Sequence, residues 1–156
     1  HQCPMADICE AKKQNRIAKL PRKKTALEVQ TLPLYWLIVR NQDGAILLEK
    51  RPAKGIWGGL YCVPCFEKLD ETYACAEKLG IVSDDLSEHP ALTHRLTHRL
   101  LMITPFEAQI SSPDTLPRSE NASKDNRFWV KPENLADYGL PKPLADYLKQ
   151  RQQALF

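Results

Sequence analysis

Cys3 and Cys9 are separated by five residues, Pro4 directly follows the first, and the next cysteine is Cys62. Thiolates at that density are the usual ligands of iron–sulfur clusters, which need four of them. Two cannot hold a cluster, so the pair reads as the end of a cysteine loop whose first members precede His1. A second pair, Cys62 and Cys65, brackets Val63-Pro64 with the spacing of half a zinc site or a redox pair. Strand-like Leu60-Tyr61 precedes it and no complementary Cys/His pair lies nearby in sequence, so both read as small buried hydrophobes. Cys75, in the middle of a helical pattern, reads the same way. Between Glu10 and Lys24 stand Lys12, Lys13, Arg16, Lys19, Arg22, Lys23 and Lys24, so this segment carries +6 of a net +3 and the remaining residues sum to −3. Such a run is either a solvated linker or a strap along a phosphate backbone, where each neutralised phosphate releases counterions. Pro21 interrupts it and argues against one continuous helix.

The elements that must position these residues follow from pattern. With 156 residues, 43% of them hydrophobic, the chain suits one compact domain with a tail. No apolar run has the length of a membrane span, and the N-terminus does not read as a signal peptide. Five unevenly spaced cysteines argue against a disulfide framework and for a reducing compartment, the cytoplasm. Leu32–Val39 and Ala45–Glu49 are strand-like runs joined by Asn41-Gln42-Asp43-Gly44, a hairpin connection. Glu67–Leu79 predicts a helix that stops at Gly80. Strands are expected at Ala91–Arg95, Arg99–Ala108 and Arg127–Val130, a long loop at Ser111–Asn126, and a closing helix from about Pro143 to Ala154. The order predicts an α/β (α+β) domain, a mixed sheet flanked by helices. Trp57 and Tyr61, beside a strand, could stack on a base but are expected to pack in the core.

That order, with the spacing from Gly59 to Gly80-Ile81, resembles the Nudix fold. The Nudix signature lays several glutamates along one helix face, to hold Mg²⁺ against a pyrophosphate. Aligned from Gly59, its glutamate and arginine positions hold Cys65, Tyr73-Ala74 and Glu77-Lys78, so one carboxylate remains beside a lysine. A gap could recruit Glu71 without restoring the cluster. The resemblance therefore implies a scaffold that is kept and a metal-binding signature that is largely lost.

Arg51-Pro52, Gly55 through Tyr61 (GIWGGLY) and Tyr138-Gly139-Leu140-Pro141, together with the Cys3/Cys9 spacing, resemble the C-terminal part of the adenine DNA glycosylases of the MutY type. The likeness runs essentially end to end. It implies three parts: the remnant of a [4Fe–4S] cysteine loop at 1–9, a basic interdomain connector at 10–31, and a Nudix-like lesion-recognition domain at 32–156. It also implies a bacterial parent enzyme that removes adenine mispaired with 8-oxoguanine or guanine, with its catalytic residues in an N-terminal glycosylase domain. This chain alone would excise nothing and would hold no complete cluster. The implied partners are double-stranded DNA carrying 8-oxoguanine opposite adenine and that N-terminal domain, with no membrane.

His94-Arg95-Leu96-Thr97-His98 resembles the family's His-x-Phe-Ser-His turn, which joins two strands and reaches the lesion. Guanine presents an acceptor at N7; oxidation turns that nitrogen into a donor and adds an acceptor oxygen at C8. The Thr97 hydroxyl both donates and accepts, so it can take the new N–H. Leu96 supplies an apolar wedge of the type that opens base steps. Leu96 replaces the usual Phe and gives up aromatic stacking, whereas Thr97 replaces Ser and keeps the hydroxyl. The candidate DNA-binding set is therefore His94, Arg95, Leu96, Thr97 and His98 with Lys12, Lys13, Lys23 and Lys24. The residues alone also fit an ordinary β-turn with a half-buried Leu and two surface histidines. Two other functions are open to such a scaffold: a Nudix phosphohydrolase with another metal arrangement, and a protein-interaction module.

Overall fold

The structure is a computed structural model that describes residues 3–22, 29–111 and 126–153. β1 (Gln30–Arg40) and β2 (Ile46–Lys50) form the expected antiparallel pair. Asn41 closes their connection: the Ala45 N–H donates to Asn41 Oδ1 at 2.8 Å and the Gly44 N–H to the Asn41 carbonyl at 3.0 Å. The two-residue strands β3 (Tyr61–Cys62) and β4 (Cys65–Phe66) pair with β2 and β1. β5 (Ser87–Glu88) and β6 (Leu92–Arg95) lie antiparallel to β7 (Arg99–Gln109), and β8 (Arg127–Val130) lies antiparallel to β2. β7 runs parallel to β1 over its whole length, from Gln30 beside Arg99 to Arg40 beside Gln109. The result is one mixed, 8-stranded sheet with the path β3-β2-β1-β7-β5, the predicted class.

Strand alternation sends successive side chains to opposite faces and makes two cores. Leu34, Trp36, Ile38, Leu101 and Ile103 meet Leu144 and Leu148 of the last helix, α3 (Lys142–Gln153). Leu37, Val39, Phe106 and Ala108 meet Cys75, Ala76 and Leu79 on and just past the helix α2 (Leu69–Lys78). Helix α2 begins two residues later than Glu67 but ends as its sequence requires. Asp70 and Glu71 sit in its first turn and Lys78 in its last, each sign matched to the helix dipole. Gly80 takes φ +75°, and the Ile81 and Gly80 N–H groups cap the Ala76 and Glu77 carbonyls at 2.9 Å each. The described part of the basic segment is not one continuous helix, but the break lies upstream of Pro21: a short helix α1 (Glu10–Lys13) and a 3-10 turn at Ile17–Lys19 are separated around Asn15, at φ +53°. The predicted loop is described only at its ends, Ser111 and Asn126, and Ala154 lies outside the described residues.

One polar group on the sheet is held inside the α3 packing. Glu107 accepts from Tyr147 Oη at 2.7 Å and from Arg151 Nε at 3.0 Å, with His89 Nε2 3.9 Å away. Burial alone would raise the Glu107 carboxyl, but these hydrogen bonds and the Arg151 charge outweigh it and hold it below its ordinary value of 4.5. A carboxyl lowered by folding stabilises the fold above the unfolded value, and that contribution is lost as pH falls through the lower folded value. Glu107→Gln is therefore expected to cost roughly 1.5–3 kcal/mol at neutral pH, the usual worth of hydrogen bonds to a charged group. Urea midpoints measured against pH check this: the wild type should weaken below its carboxylate range, and the variant should show a flatter acid limb.

Candidate nucleic-acid interface

The turn Leu96-Thr97-His98 stands at one end of the sheet, closing β6 onto β7. The ladder runs from Leu92 beside Ile103 to Arg95 beside Leu100, and the Leu96 N–H donates to the Arg99 carbonyl at 2.8 Å. Thr97 and His98 form the exposed tip. Neither side chain has a hydrogen-bond partner among the described residues, so the Thr97 hydroxyl is free to bond outward. Leu96 is half-buried and leans on the core beneath the hairpin, so only part of it faces solvent.

His94 lies on the same inner side as Leu92 and Leu96, its ring 6.5 Å from that of Trp57. Trp57 in turn sits 6.0 Å from Trp36, which is fully buried in β1. Trp57 thus packs against the core, as expected, and also backs the hairpin. It is held there at φ +56°, a backbone conformation rarely tolerated by a bulky side chain. The loop around it is tied by the Arg51 N–H to the Leu60 carbonyl at 2.8 Å and the Gly59 N–H to the Pro52 carbonyl at 3.0 Å. Gly58 is obligatory in this loop, because a Cβ there would stand 2.5 Å from the Ala53 carbonyl oxygen.

Parallel pairing of β1 and β7 brings the start of β1 to the same place. Gln30 is the first residue of β1, and its N–H donates to the His98 carbonyl at 3.4 Å. β1 therefore enters the sheet beside the tip. Lys12 and Lys13 are exposed on α1, and Lys23 and Lys24 lie outside the described residues. Arg95 is exposed, and so is Arg99 across the hairpin, a residue absent from the motif-based set. Its signal was its place as first residue of the strand after the turn.

The cysteines divide as their surroundings dictate. Cys62, Cys65 and Cys75 are buried core residues. Burial pushes the Cys65 thiol up to about 11 and raises Cys62 and Cys75 as well, which leaves all three protonated and poor ligands. Cys3 is exposed and Cys9 half-exposed, and no group of three or more metal-binding side chains occurs among the described residues. Two thiolates do not fit a [4Fe–4S] cluster, which needs four. The same scarcity bears on hydrolysis. On α2, Glu77 is exposed beside Lys78, and the nearby Glu49 carboxylate is spent on Arg127 Nε at 2.9 Å. The described residues thus offer no carboxylate cluster for Mg²⁺. No helix among them is long and apolar enough to cross a membrane.

Known proteins agree with this architecture. Two relatives named adenine DNA glycosylase come from Buchnera aphidicola. One, from the subspecies Schizaphis graminum, is 28% identical over 94% of this chain and 41% of its own length. The other, from Baizongia pistaciae, is 24% identical over 91% of this chain and 39% of its own length. The chain thus spans about two fifths of the length of the curated relatives it matches. Among solved structures, the C-terminal domain of mouse MUTYH, in complex with human PCNA, superposes with a TM-score of 0.56 at 14% identity, over 78% of this chain and 89% of that one. The NUDIX domain of Shewanella oneidensis NrtR, complexed with ADP ribose, reaches 0.60 at 18% identity, over 89% and 97%. Both likenesses are of fold. The NUDIX domain model itself matches residues 35–150, from within β1 to within α3. The mixed sheet, its two flanking helices and this match lead to one assignment: the chain belongs to the NUDIX domain family.

Proposed function

We propose that this chain is the lesion-recognition part of a bacterial, cytoplasmic adenine DNA glycosylase, acting in base-excision repair on adenine mispaired with 8-oxoguanine or guanine. The parent hydrolyses the N-glycosidic bond in an N-terminal domain, where the flipped adenine is bound, while this domain engages the damaged base opposite. Residues 1–9 close the [4Fe–4S] loop of the parent, which needs two further cysteines, residues 10–31 connect, and residues 32–156 read the lesion. The observation that carries this reading is the exposed tip at one end of the sheet, whose Thr97 hydroxyl has no hydrogen-bond partner among the described residues and which the exposed Arg95 and Arg99 flank. Phosphate contacts and a base-edge contact can be made there together. Phosphate contacts position a protein and base contacts specify the sequence or lesion. Thr97 accepts from the N7–H of 8-oxoguanine, His94 and His98 flank it, and the exposed part of Leu96 presses on the neighbouring base step. Similarity to two adenine DNA glycosylases over nearly the whole chain supports the same assignment.

The test is binding of the chain to matched duplexes with and without one 8-oxoguanine:adenine pair, across a salt series. The lesion duplex should bind more tightly. Replacing Lys12, Lys13, Lys23 and Lys24 by Ala should flatten the salt dependence on both duplexes, by about 0.9 in log–log slope for each phosphate no longer neutralised. Equal binding of the two wild-type curves would leave a scaffold for protein interaction instead.

A further inference from the structure

Arg95 and Arg99 frame the turn, and neither forms an ion pair or side-chain hydrogen bond among the described residues. Arg95 is the last residue of β6 and Arg99 the first of β7, and both are exposed. We propose that these two arginines form a clamp for DNA phosphates, one guanidinium on each face of the hairpin ribbon, closing on the two walls of the groove that the tip enters.

Strand alternation sets the two side chains on opposite faces. Arg99 shares the parity of Leu101 and Ile103, which face the α3 core. Arg95 shares the parity of the exposed Thr93, and between them His94 points inward to Trp57. The ribbon therefore carries one cation on each side. The atoms that distinguish 8-oxoguanine, at N7 and C8, lie on the major-groove edge. That groove is about 12 Å wide and admits a two-stranded β-ribbon. A ribbon entering tip first would bring Thr97 to the base edge and one guanidinium to each phosphate wall. The guanidinium suits this task because its planar fork matches two phosphate oxygens. An arginine already paired to a carboxylate would have to break that bond first; these two have no such partner among the described residues.

The clamp rests on the DNA-binding reading above, and its test separates the two. Arg95→Gln, Arg99→Gln and the double variant of the full chain are compared by fluorescence anisotropy. The probes are a plain duplex, the same duplex with one 8-oxoguanine:adenine pair, and its single strand. Each single change should make the slope of log K against log salt shallower by about 0.9, and the double by about twice that, equally on both duplexes. The ratio of lesion to plain affinity should be unchanged, and the single strand should show less than the full double effect, because it has one wall. An unaltered slope in the double variant overturns the clamp, as does a double effect no larger than one single. The full double effect on single strands also overturns it, since that marks diffuse surface charge. If the wild type binds both duplexes alike while the slopes shift as expected, the clamp stands and the lesion-reading assignment falls.

Discussion

Trp36→Ala is expected to remove about 3–5 kcal/mol of folding stability, the range for deleting a large ring from a closed core. Trp36 is 0% exposed and lies between Trp57, at 6.0 Å, and Tyr147, at 6.2 Å. Its neighbours are a strained loop on one side and a helix on the other, and neither can slide in to fill the space without disrupting its own packing. A domain of this size holds only about 5–15 kcal/mol in all, so the variant should unfold at far lower denaturant. The effect should reach the hairpin as well, because Trp57 rests on Trp36 and His94 rests on Trp57. Guanidinium titration followed by far-ultraviolet circular dichroism measures the first consequence. A loss under about 1 kcal/mol would mean that the core collapses around the missing ring. Trp36→Phe, which keeps a ring in place, should fall well short of the alanine variant.

Thr97→Ala should act without touching the fold, since Thr97 is exposed and its hydroxyl makes no internal bond among the described residues. One base-edge contact is worth about 1–3 kcal/mol of discrimination, and each 1.4 kcal/mol is a factor of about ten. The preference for an 8-oxoguanine duplex over a plain one should therefore fall roughly five- to a hundredfold. Affinity for the plain duplex should barely move. Thr97→Ser keeps the hydroxyl and should bind like wild type. In the intact enzyme the same ratio is read from excision rates opposite 8-oxoguanine and opposite guanine. If Thr97→Ala leaves that ratio intact, another residue reads the lesion.

Much of the fold was legible because its signals are local. The apolar runs at Leu32–Val39 and Arg99–Ala108, the Asn41–Gly44 turn and the stop at Gly80 each act within a few residues, and each matches the structure. What sequence could not reveal depends on distant partners. Tyr61–Cys62, Cys65–Phe66 and Ser87–Glu88 are too short to show a period, and they are strands only because β2, β1 and β7 supply their hydrogen bonds. Pro33 and Pro105 lie inside the two long strands that the apolar runs foretold, although proline cannot donate to a ladder. Pro105 is tolerated because it falls where β7 changes partner from β6 to β5. At the site, the turn was visible as a motif. Its backing by Trp57, the approach of Gln30 and the exposure of Arg99 all arise from pairings far apart in sequence.

The side-by-side run of β1 and β7 also shapes how the molecule comes into being. All of residues 41–98 must be arranged before Gln30 can find Arg99. Closing so long a loop costs entropy that only the finished ladder returns, and folds built on such distant pairings assemble slowly. The hairpin of β6 and β7 can form early by itself, but Gln30 reaches its tip only when the last ladder closes. A half-folded chain thus has the turn without the strand that closes beside it, so the tip takes its final surroundings only in the last step.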